Sequence, residues 1–289
     1  WRETWLGSKR LIGLGMAFMW SAVLGAAVAF ATRSIITRDL GIEANGIFQS
    51  AWGISGMFAS FILSAMGTDF YPRLTSVAHD HVQMNKMVNE QTEVGILLAF
   101  PGLLGTMVFA PLLMKFFYTA KFLDGAPLLP WLVLGVFFKI VSWPMGFILL
   151  AKGATRWFVA SETLFNLCHL ALTIVLIKTS GLPGAAYAFA ALYGIYIIAM
   201  LLVARTLSRF AWNRQTMRLL LISALVVTAA FLLQRFTHEV TTFAVGTLLC
   251  VASSLISLRG IVTRLGAANK WVASLVRLPG AKFVLGIAG

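Results

Sequence analysis

The sequence predicts an all-helical protein, a polytopic bundle of about eight membrane-spanning helices. Hydrophobic residues make up 59% of the 289 residues and charged residues only 11%, a composition that soluble domains of this length do not have. The net charge is +13, but the basic residues lie between apolar stretches. Membrane topology explains that pattern better than binding to nucleic acid does.

Eight apolar stretches have about the 20 residues that a helix needs to cross a hydrocarbon core. Their approximate limits are 11–31, 46–67, 94–114, 128–151, 157–177, 183–203, 217–233 and 240–258. When the loops between them are assigned alternately to two sides, most of the 23 lysines and arginines fall on one side. Because short basic loops stay in the cytoplasm, we expect both ends of the chain there.

The second stretch carries small and polar residues near the spacing of one helical face. They are Gly46, Gln49, Gly53, Gly56, Ser60 and Gly67. Such a face suits a neighbouring helix or a wet cavity, because small residues let membrane helices approach closely. The stretch then runs into Asp69, Pro72 and Arg73, where we expect a proline-broken turn. Asp69 and Arg73 are four residues apart, which favours either a local ion pair or a gate at a cavity mouth.

Prolines and amphipathic segments mark the remaining irregular regions. Pro101 and Pro144 lie inside predicted spans, where proline opens the backbone hydrogen-bond ladder, so these helices either bend between states or carry harmless kinks. Residues 74–93 place apolar side chains on one face and predict a helix lying at the interface. The segment from 266 onward predicts either a second such helix or a disordered tail.

Lys139 is the most informative single residue. It lies near the middle of the fourth stretch, in LLPWLVLGVFFKIVSWPMGFILLA, too deep for its ammonium group to reach either surface. A charge at that depth costs ~2.5 to 3.5 kcal/mol on insertion scales. We therefore expect the side chain to face a cavity, a counter-charge or a substrate; the alternative is a structural ion pair with Glu162.

The fifth stretch carries a line of polar residues on one helical face. Glu162, Asn166, His169 and Thr173 follow one another at intervals of four, three and four residues, which places them on a single stripe. This stripe suits interhelical hydrogen bonds or a cavity wall with a proton relay through Glu162 and His169.

Two arginines follow the first stretch. A guanidinium group binds two oxygens of a phosphate at once, so Arg33 or Arg38 could attract an anionic substrate. Arg38, beside Asp39 and farther from the membrane core, is equally suited to interfacial anchoring.

The common catalytic and nucleotide-binding motifs are absent from the sequence. It has no G-x-x-x-x-G-K-[ST] phosphate loop, no H-E-x-x-H and no G-x-S-x-G. Its two cysteines, Cys168 and Cys250, lie in separate apolar stretches and suit neither a disulfide framework nor a metal cluster. We therefore expect no enzymatic activity, no metal site and no cofactor.

Three strings carry a resemblance to a known family. They are GIFQSAWGISGMFASFILSAMGTDFYPRLTSVA, NEQTEVGILLAFPGLLGTMVFAPLLMKFFYTAKF and LGVFFKIVSWPMGFILLAKG. In this order they resemble the C-terminal half of bacterial polysaccharide flippases, the O-antigen branch of the superfamily that also contains the MATE exporters and the lipid II flippases. The resemblance covers about residues 10–210.

The resemblance implies a two-lobed helical bundle around a basic cavity that opens alternately to each side. Residues 1–210 would form the C-terminal six-helix lobe, 211–260 two additional membrane helices and 261–289 a basic cytoplasmic tail. An N-terminal lobe would lie upstream, an expectation that the start at Trp1, without an initiator methionine, also favours.

The implied function is the flipping of an undecaprenyl-diphosphate-linked oligosaccharide, an O-antigen or related repeat unit, across the bacterial inner membrane. Expected partners are this lipid-linked substrate, membrane lipids, a polysaccharide polymerase and a chain-length regulator. The candidate substrate-binding residues are Lys139, Arg33, Gln49, Glu162, Asn166 and His169, and the candidate gating residues are Asp69, Arg73, Pro101 and Pro144.

Two other functions remain open at this point. A MATE-like exporter coupled to protons or sodium would need an acidic cavity, whereas the deepest charge here is a lysine. A membrane enzyme of the glycan pathway would need a reactive loop or a sizeable outer domain, and no predicted loop is long enough to supply one.

Overall fold

The computed structural model describes residues 2–236 and 239–265, and these residues form helices joined by short turns. The helices are α1 (Arg2–Leu40), α2 (Ile42–Ser76), α3 (His81–Val108), α4 (Ala110–Phe117), a 3-10 helix (Ala120–Leu128), α5 (Leu129–Ala151), α6 (Thr155–Ser180), α7 (Pro183–Ser208), α8 (Arg214–Phe236) and α9 (Glu239–Leu265). An all-helical fold follows from the apolar composition, because a helix satisfies its own backbone hydrogen bonds where no water can.

Local sequence sets the ends of these helices. Gly41 has a φ of 95° and Gly181 a φ of 65°, values that glycine adopts without steric cost, and they separate α1 from α2 and α6 from α7. Asp80 caps α3, its carboxylate accepting hydrogen bonds from the backbone N–H groups of Val82 at 2.8 Å and Gln83 at 3.0 Å. Such a cap satisfies donors that the first helical turn leaves free.

The predicted membrane bundle is confirmed. Seven helical segments in the described part of the chain are long and apolar enough to cross a membrane by themselves. α2 bends by 43° between its segments Ile42–Met57 and Ile62–Ser76, and it supplies an eighth span if the two segments count as one. This number agrees with the eight stretches in the sequence.

Three details differ from the expectation. α2 continues through Pro72 to Ser76, because a proline costs a helix one hydrogen bond and neighbouring packing can offset that loss. Residues 81–93 are the first half of α3, so the interfacial helix predicted at 74–93 is wrong. The stretch 94–114 is divided between α3 and α4 at Phe109.

α5 is the central helix of the bundle and packs against α2, α3 and α7. Most of its side chains are buried, among them Leu132, Val133 and Val141. Lipid is as apolar as these side chains, so close packing rather than escape from water holds such helices together. One close approach is at Gly135, where a Cβ atom would overlap the ring of Phe189 on α7.

The first half of α3 is buried on one side, and two asparagines there hold the α7–α8 connection. Asn85 Nδ2 donates to the backbone carbonyls of Ser208 at 3.2 Å and Arg209 at 3.3 Å. Asn89 Nδ2 donates to the carbonyl of Ala211 at 3.1 Å, and its Oδ1 accepts from the backbone N–H of Asn213 at 2.9 Å. These polar side chains therefore face a loop of the protein rather than the membrane surface.

Glu93 extends this polar row into the helices that follow. Its side chain is 4% exposed; one carboxylate oxygen accepts from the hydroxyl of Thr216 on α8, and the other pairs with Arg264 on α9. α8 and α9 are thus tied directly to α3. The division into a lobe at 1–210 and two additional helices at 211–260 stays a prediction, and the tail predicted from 266 onward lies outside the described residues.

Candidate functional site

Five helices form a closed ring in which each contacts the next. In order around the ring they are α1, α2, α5, α7 and α6, and α6 contacts α1 again. Two adjoining cavities are lined by residues of these helices. Every candidate substrate-binding residue predicted from the sequence lines one or both of them.

The larger cavity has a volume of about 380 Å³ and lies between α1, α5, α6 and α7. Its polar lining consists of Ser21, Lys139, Ser142, Glu162, Asn166, His169, Tyr193 and Tyr196. Aromatic side chains, including Trp143, Phe147 and Phe165, complete the wall. A mostly apolar wall with a few convergent polar groups is typical of small-molecule sites.

The smaller cavity has a volume of about 170 Å³ and adds α2 to the wall. Arg33 on α1 and Gln49 on α2 line it, together with Lys139, Asn166 and His169, which also line the larger cavity. The shared residues show that the two cavities adjoin. The site therefore carries two cationic side chains, Lys139 and Arg33, and one carboxylate, Glu162.

Lys139 occupies the junction of the site. It is the eleventh of the 23 residues of α5. Besides the larger and the smaller cavity, which we call the ring cavities, it lines a third cavity of about 390 Å³ between α2 and α5. Its Nζ atom lies 5.6 Å from the centre of the Tyr193 ring, a distance at which an aromatic face attracts a cation. Within residues 2–236 and 239–265 no carboxylate lies within 4.0 Å of this ammonium group, so the ion pair with Glu162 is not formed.

Glu162 joins α6 to both of its neighbours in the ring. One carboxylate oxygen accepts a hydrogen bond from Ser21 Oγ on α1 at 2.7 Å, and the other lies 3.5 Å from the hydroxyl of Tyr196 on α7. A second contact between α1 and α6 runs from Trp20 Nε1 to Thr163 Oγ1 at 2.9 Å. The interhelical hydrogen bonds expected of the polar stripe are therefore present at a residue that also lines the cavity.

Of the other residues of the stripe, two line the cavities and one is buried in the bundle. Asn166 donates to the backbone carbonyl of Glu162 at 2.9 Å, and the His169 ring lies 6.0 Å from the ring of Phe189. Thr173 is buried, and its hydroxyl has no hydrogen-bond partner among the described residues. No direct hydrogen bond joins Glu162 to His169 in that part of the chain, so the proton relay stays a prediction.

The third cavity explains part of the small-residue face of α2. Gly56, Ser60 and Ser64 line it opposite Val136 and Trp143 of α5. Farther toward the start of α2, a Cβ atom at Gly46 would lie 3.6 Å from the Phe122 ring. One face of α2 thus borders a cavity over part of its length and packs on neighbouring segments elsewhere.

Comparisons with known proteins agree with this architecture. Residues 1–127 match the model of a family described as polysaccharide biosynthesis protein. The structure resembles the lipid II flippase MurJ in an inward closed conformation, with a TM-score of 0.61 and 16% identity over 85% of this chain. The chain therefore shares its fold with this flippase. Its predicted resemblance to polysaccharide flippases is confirmed by the family match and the fold.

A second solved structure of the MOP fold is a transporter from Pyrococcus furiosus Vc1, for which a binding pocket of reverse polarity suggests a different function. Its TM-score is 0.51 with 16% identity, covering 96% of this chain. The chain spans 52% of the length of the lipid II flippase and 68% of that of the archaeal transporter. Among curated proteins, no sequence matches the chain significantly.

The candidate gating residues do not line either of the two ring cavities. Asp69 and Arg73 form an ion pair of 3.0 Å in which both side chains are exposed, the local pair that their spacing predicts. Pro101 and Pro144 lie within the continuous helices α3 and α5. A gating role for these four residues stays a prediction.

Sequence reasoning missed Ser21, Ser142, Tyr193 and Tyr196, which complete the polar lining of the larger cavity. The two tyrosines are three residues apart on one face of α7, a spacing that could have indicated a polar patch in that span. Ser21 is a lone hydroxyl in an apolar helix, and its role becomes evident only from its contact with Glu162. Across the described residues, no three His, Cys, Asp or Glu side chains are grouped as a metal site would require.

Proposed function

We propose that the chain is part of a flippase that moves an undecaprenyl-diphosphate-linked oligosaccharide, an O-antigen or related repeat unit, across the bacterial inner membrane. The observation that carries this proposal is Lys139, a cation in the middle of α5 that opens on three cavities and has no carboxylate within 4.0 Å among the described residues. An unpaired charge at such depth costs free energy, which an anionic substrate would offset.

The chemistry of the site suits a diphosphate or an acidic sugar. Lys139 on α5 supplies a point charge in the lining of the smaller cavity, and Arg33 on α1 supplies a planar group that can bind two phosphate oxygens. Gln49, Asn166 and His169 add hydrogen-bonding groups around the same space. Transport needs no bond to be broken, so we propose binding and release rather than catalysis.

A second lobe would complete the transporter. The chain spans about half of the lipid II flippase, and α1 is mostly exposed, with Met19 62% and Phe30 71% exposed. We propose that another helical lobe covers part of this surface and that Pro101, Pro144 and the Asp69–Arg73 pair allow movement between states. The ends of the chain would lie in the cytoplasm, and a polymerase and a chain-length regulator would receive the flipped unit.

The test measures flipping in proteoliposomes that contain the purified protein and a fluorescent diphosphate-prenyl glycan. Lys139→Gln removes the charge and leaves a polar side chain one atom shorter. We expect it to lower the initial rate about tenfold or more, the loss of one charge-assisted contact. The matched control is Lys178→Gln, an exposed lysine in the last turn of α6, which should flip at the normal rate. Undiminished flipping by Lys139→Gln would remove this residue from the mechanism.

One observation favours the alternative of a MATE-like exporter. The Glu162 carboxylate lines the larger cavity and could attract a cation there. The same proteoliposomes distinguish the two functions: uptake of small organic cations driven by a proton or sodium gradient, lost in Glu162→Gln and insensitive to Lys139→Gln, would favour export over flipping.

A further inference from the structure

An open groove of about 440 Å³ lies at the start of α8, away from the ring cavities. Trp212 and Arg214 line one end of it, and Met217, Arg218 and Leu221 continue the wall along α8. The groove is at the end of the bundle where Asn85 of α3 contacts the α7–α8 connection. The transport mechanism proposed above uses none of these residues.

One end of the groove is strongly positive. Arg214 and Arg218 are both exposed and lie one turn apart on α8, and in residues 2–236 and 239–265 neither pairs with a carboxylate within 4.0 Å. Asn213 caps the helix, its side-chain oxygen accepting from the backbone N–H of Thr216 at 2.7 Å, and the first turn of a helix adds partial positive charge. Two arginines at neighbouring positions suit the oxygens of a phosphodiester.

The other end of the groove is apolar and continues down the helix. Leu221 is 63% exposed and Ile222 37% exposed, and Leu225, one turn farther along, is 70% exposed. α8 is one of the helices long and apolar enough to cross the membrane. The surface therefore changes from cationic to apolar along the direction in which a membrane lipid changes from headgroup to acyl chain.

We propose that this groove is a binding site for an anionic glycerophospholipid. Its phosphate would contact Arg214 and Arg218, and one acyl chain would lie along Met217, Leu221 and Ile222. A free phosphate would use only the arginines, and a zwitterionic lipid would place a second cation beside them. Each basic residue at a membrane surface raises the affinity for anionic lipid about fivefold.

The experiment measures lipids retained by the full chain in detergent, using native mass spectrometry after incubation with phosphatidylglycerol or phosphatidylcholine. Arg214→Gln combined with Arg218→Gln should lower retention of phosphatidylglycerol roughly 10- to 30-fold. The matched control is Arg235→Gln, which changes an exposed arginine in the last turn of the same helix and should retain the lipid. Arg214→Lys with Arg218→Lys should keep most of the binding, and circular dichroism checks that each variant has its helices.

Three outcomes would overturn the proposal. Equal retention of the two lipids by the wild-type protein would mean that headgroup charge is not recognised. An equal loss in Arg235→Gln would mean that the overall charge, rather than this groove, holds the lipid. Displacement of phosphatidylglycerol by millimolar inorganic phosphate, with no effect of Leu221→Ser, would identify a phosphate site without an acyl-chain contact.

Discussion

Removing either partner of the Glu93–Arg264 pair should destabilise the protein, and by unequal amounts. The pair connects α3 to α9, and Thr216 on α8 donates to the same carboxylate. Arg264→Gln leaves Glu93, whose side chain is 4% exposed, with a hydroxyl as its remaining partner, and an orphaned buried charge costs about 3 to 5 kcal/mol. Glu93→Gln should cost less, about 1.5 to 3 kcal/mol, because the Arg264 side chain is 25% exposed and can reach water.

The double variant Glu93→Gln/Arg264→Gln should be more stable than the sum of the single changes predicts. Two neutral amides leave no buried charge, so we expect a coupling free energy of about 2 kcal/mol, within the range measured for contacting pairs. The assay is equilibrium unfolding in mixed micelles by titration with sodium dodecyl sulfate, followed by far-ultraviolet circular dichroism.

The matched control is Lys86→Gln on the same helix. Lys86 lies 3.9 Å from Glu90, and both side chains are more than half exposed, at 73% and 52%, so breaking this pair should cost less than about 0.5 kcal/mol. Additive single changes, or a loss in Arg264→Gln no larger than that in Lys86→Gln, would refute the conclusion that this pair holds α9 against α3.

Two further substitutions test the helix contacts and caps by the same unfolding assay. Gly184→Ala should lower the free energy of unfolding by at least about 2 kcal/mol, because a Cβ atom there would overlap the backbone carbonyl of Leu176. The control is Gly105→Ala, where nothing lies within 4 Å of the added atom, and this change should be neutral or slightly stabilising. Equal effects of the two changes would contradict the close contact of α6 and α7. Asp80→Ala removes the acceptor for two backbone N–H groups and should cost about 1 kcal/mol, whereas Asp80→Asn should cost much less; a similar loss in both variants would mean that the carboxylate has another role.

The sequence predicts the positions of the membrane helices because a hydrocarbon core imposes length and apolarity on each helix separately. It also predicts that Lys139 faces a cavity, a counter-charge or a substrate, since a charge at that depth cannot face lipid, and that the stripe from Glu162 to His169 shares one helical face. Helical spacing alone shows which side chains share a face. It does not show which helix lies opposite.

The parts that could not be predicted depend on contacts between distant segments. Ser21 and Tyr196 become partners of Glu162 only because α1 and α7 flank α6. Asn85 and Asn89 resemble residues of an interfacial helix, and their burial follows from a loop about 120 residues later in the chain that needs donors and acceptors. The sequence does not show whether water or a distant backbone group will form the hydrogen bonds of a polar side chain.

The five helices that surround the ring cavities come from distant parts of the chain. The first and fourth of them in chain order meet through Ser21 and Glu162, which are 141 residues apart, and α7 comes later still. Lys139 is therefore synthesised before the residues of α6 and α7 that line the cavities with it. The wall around Lys139 is therefore complete only when α7, which ends at Ser208, has been made.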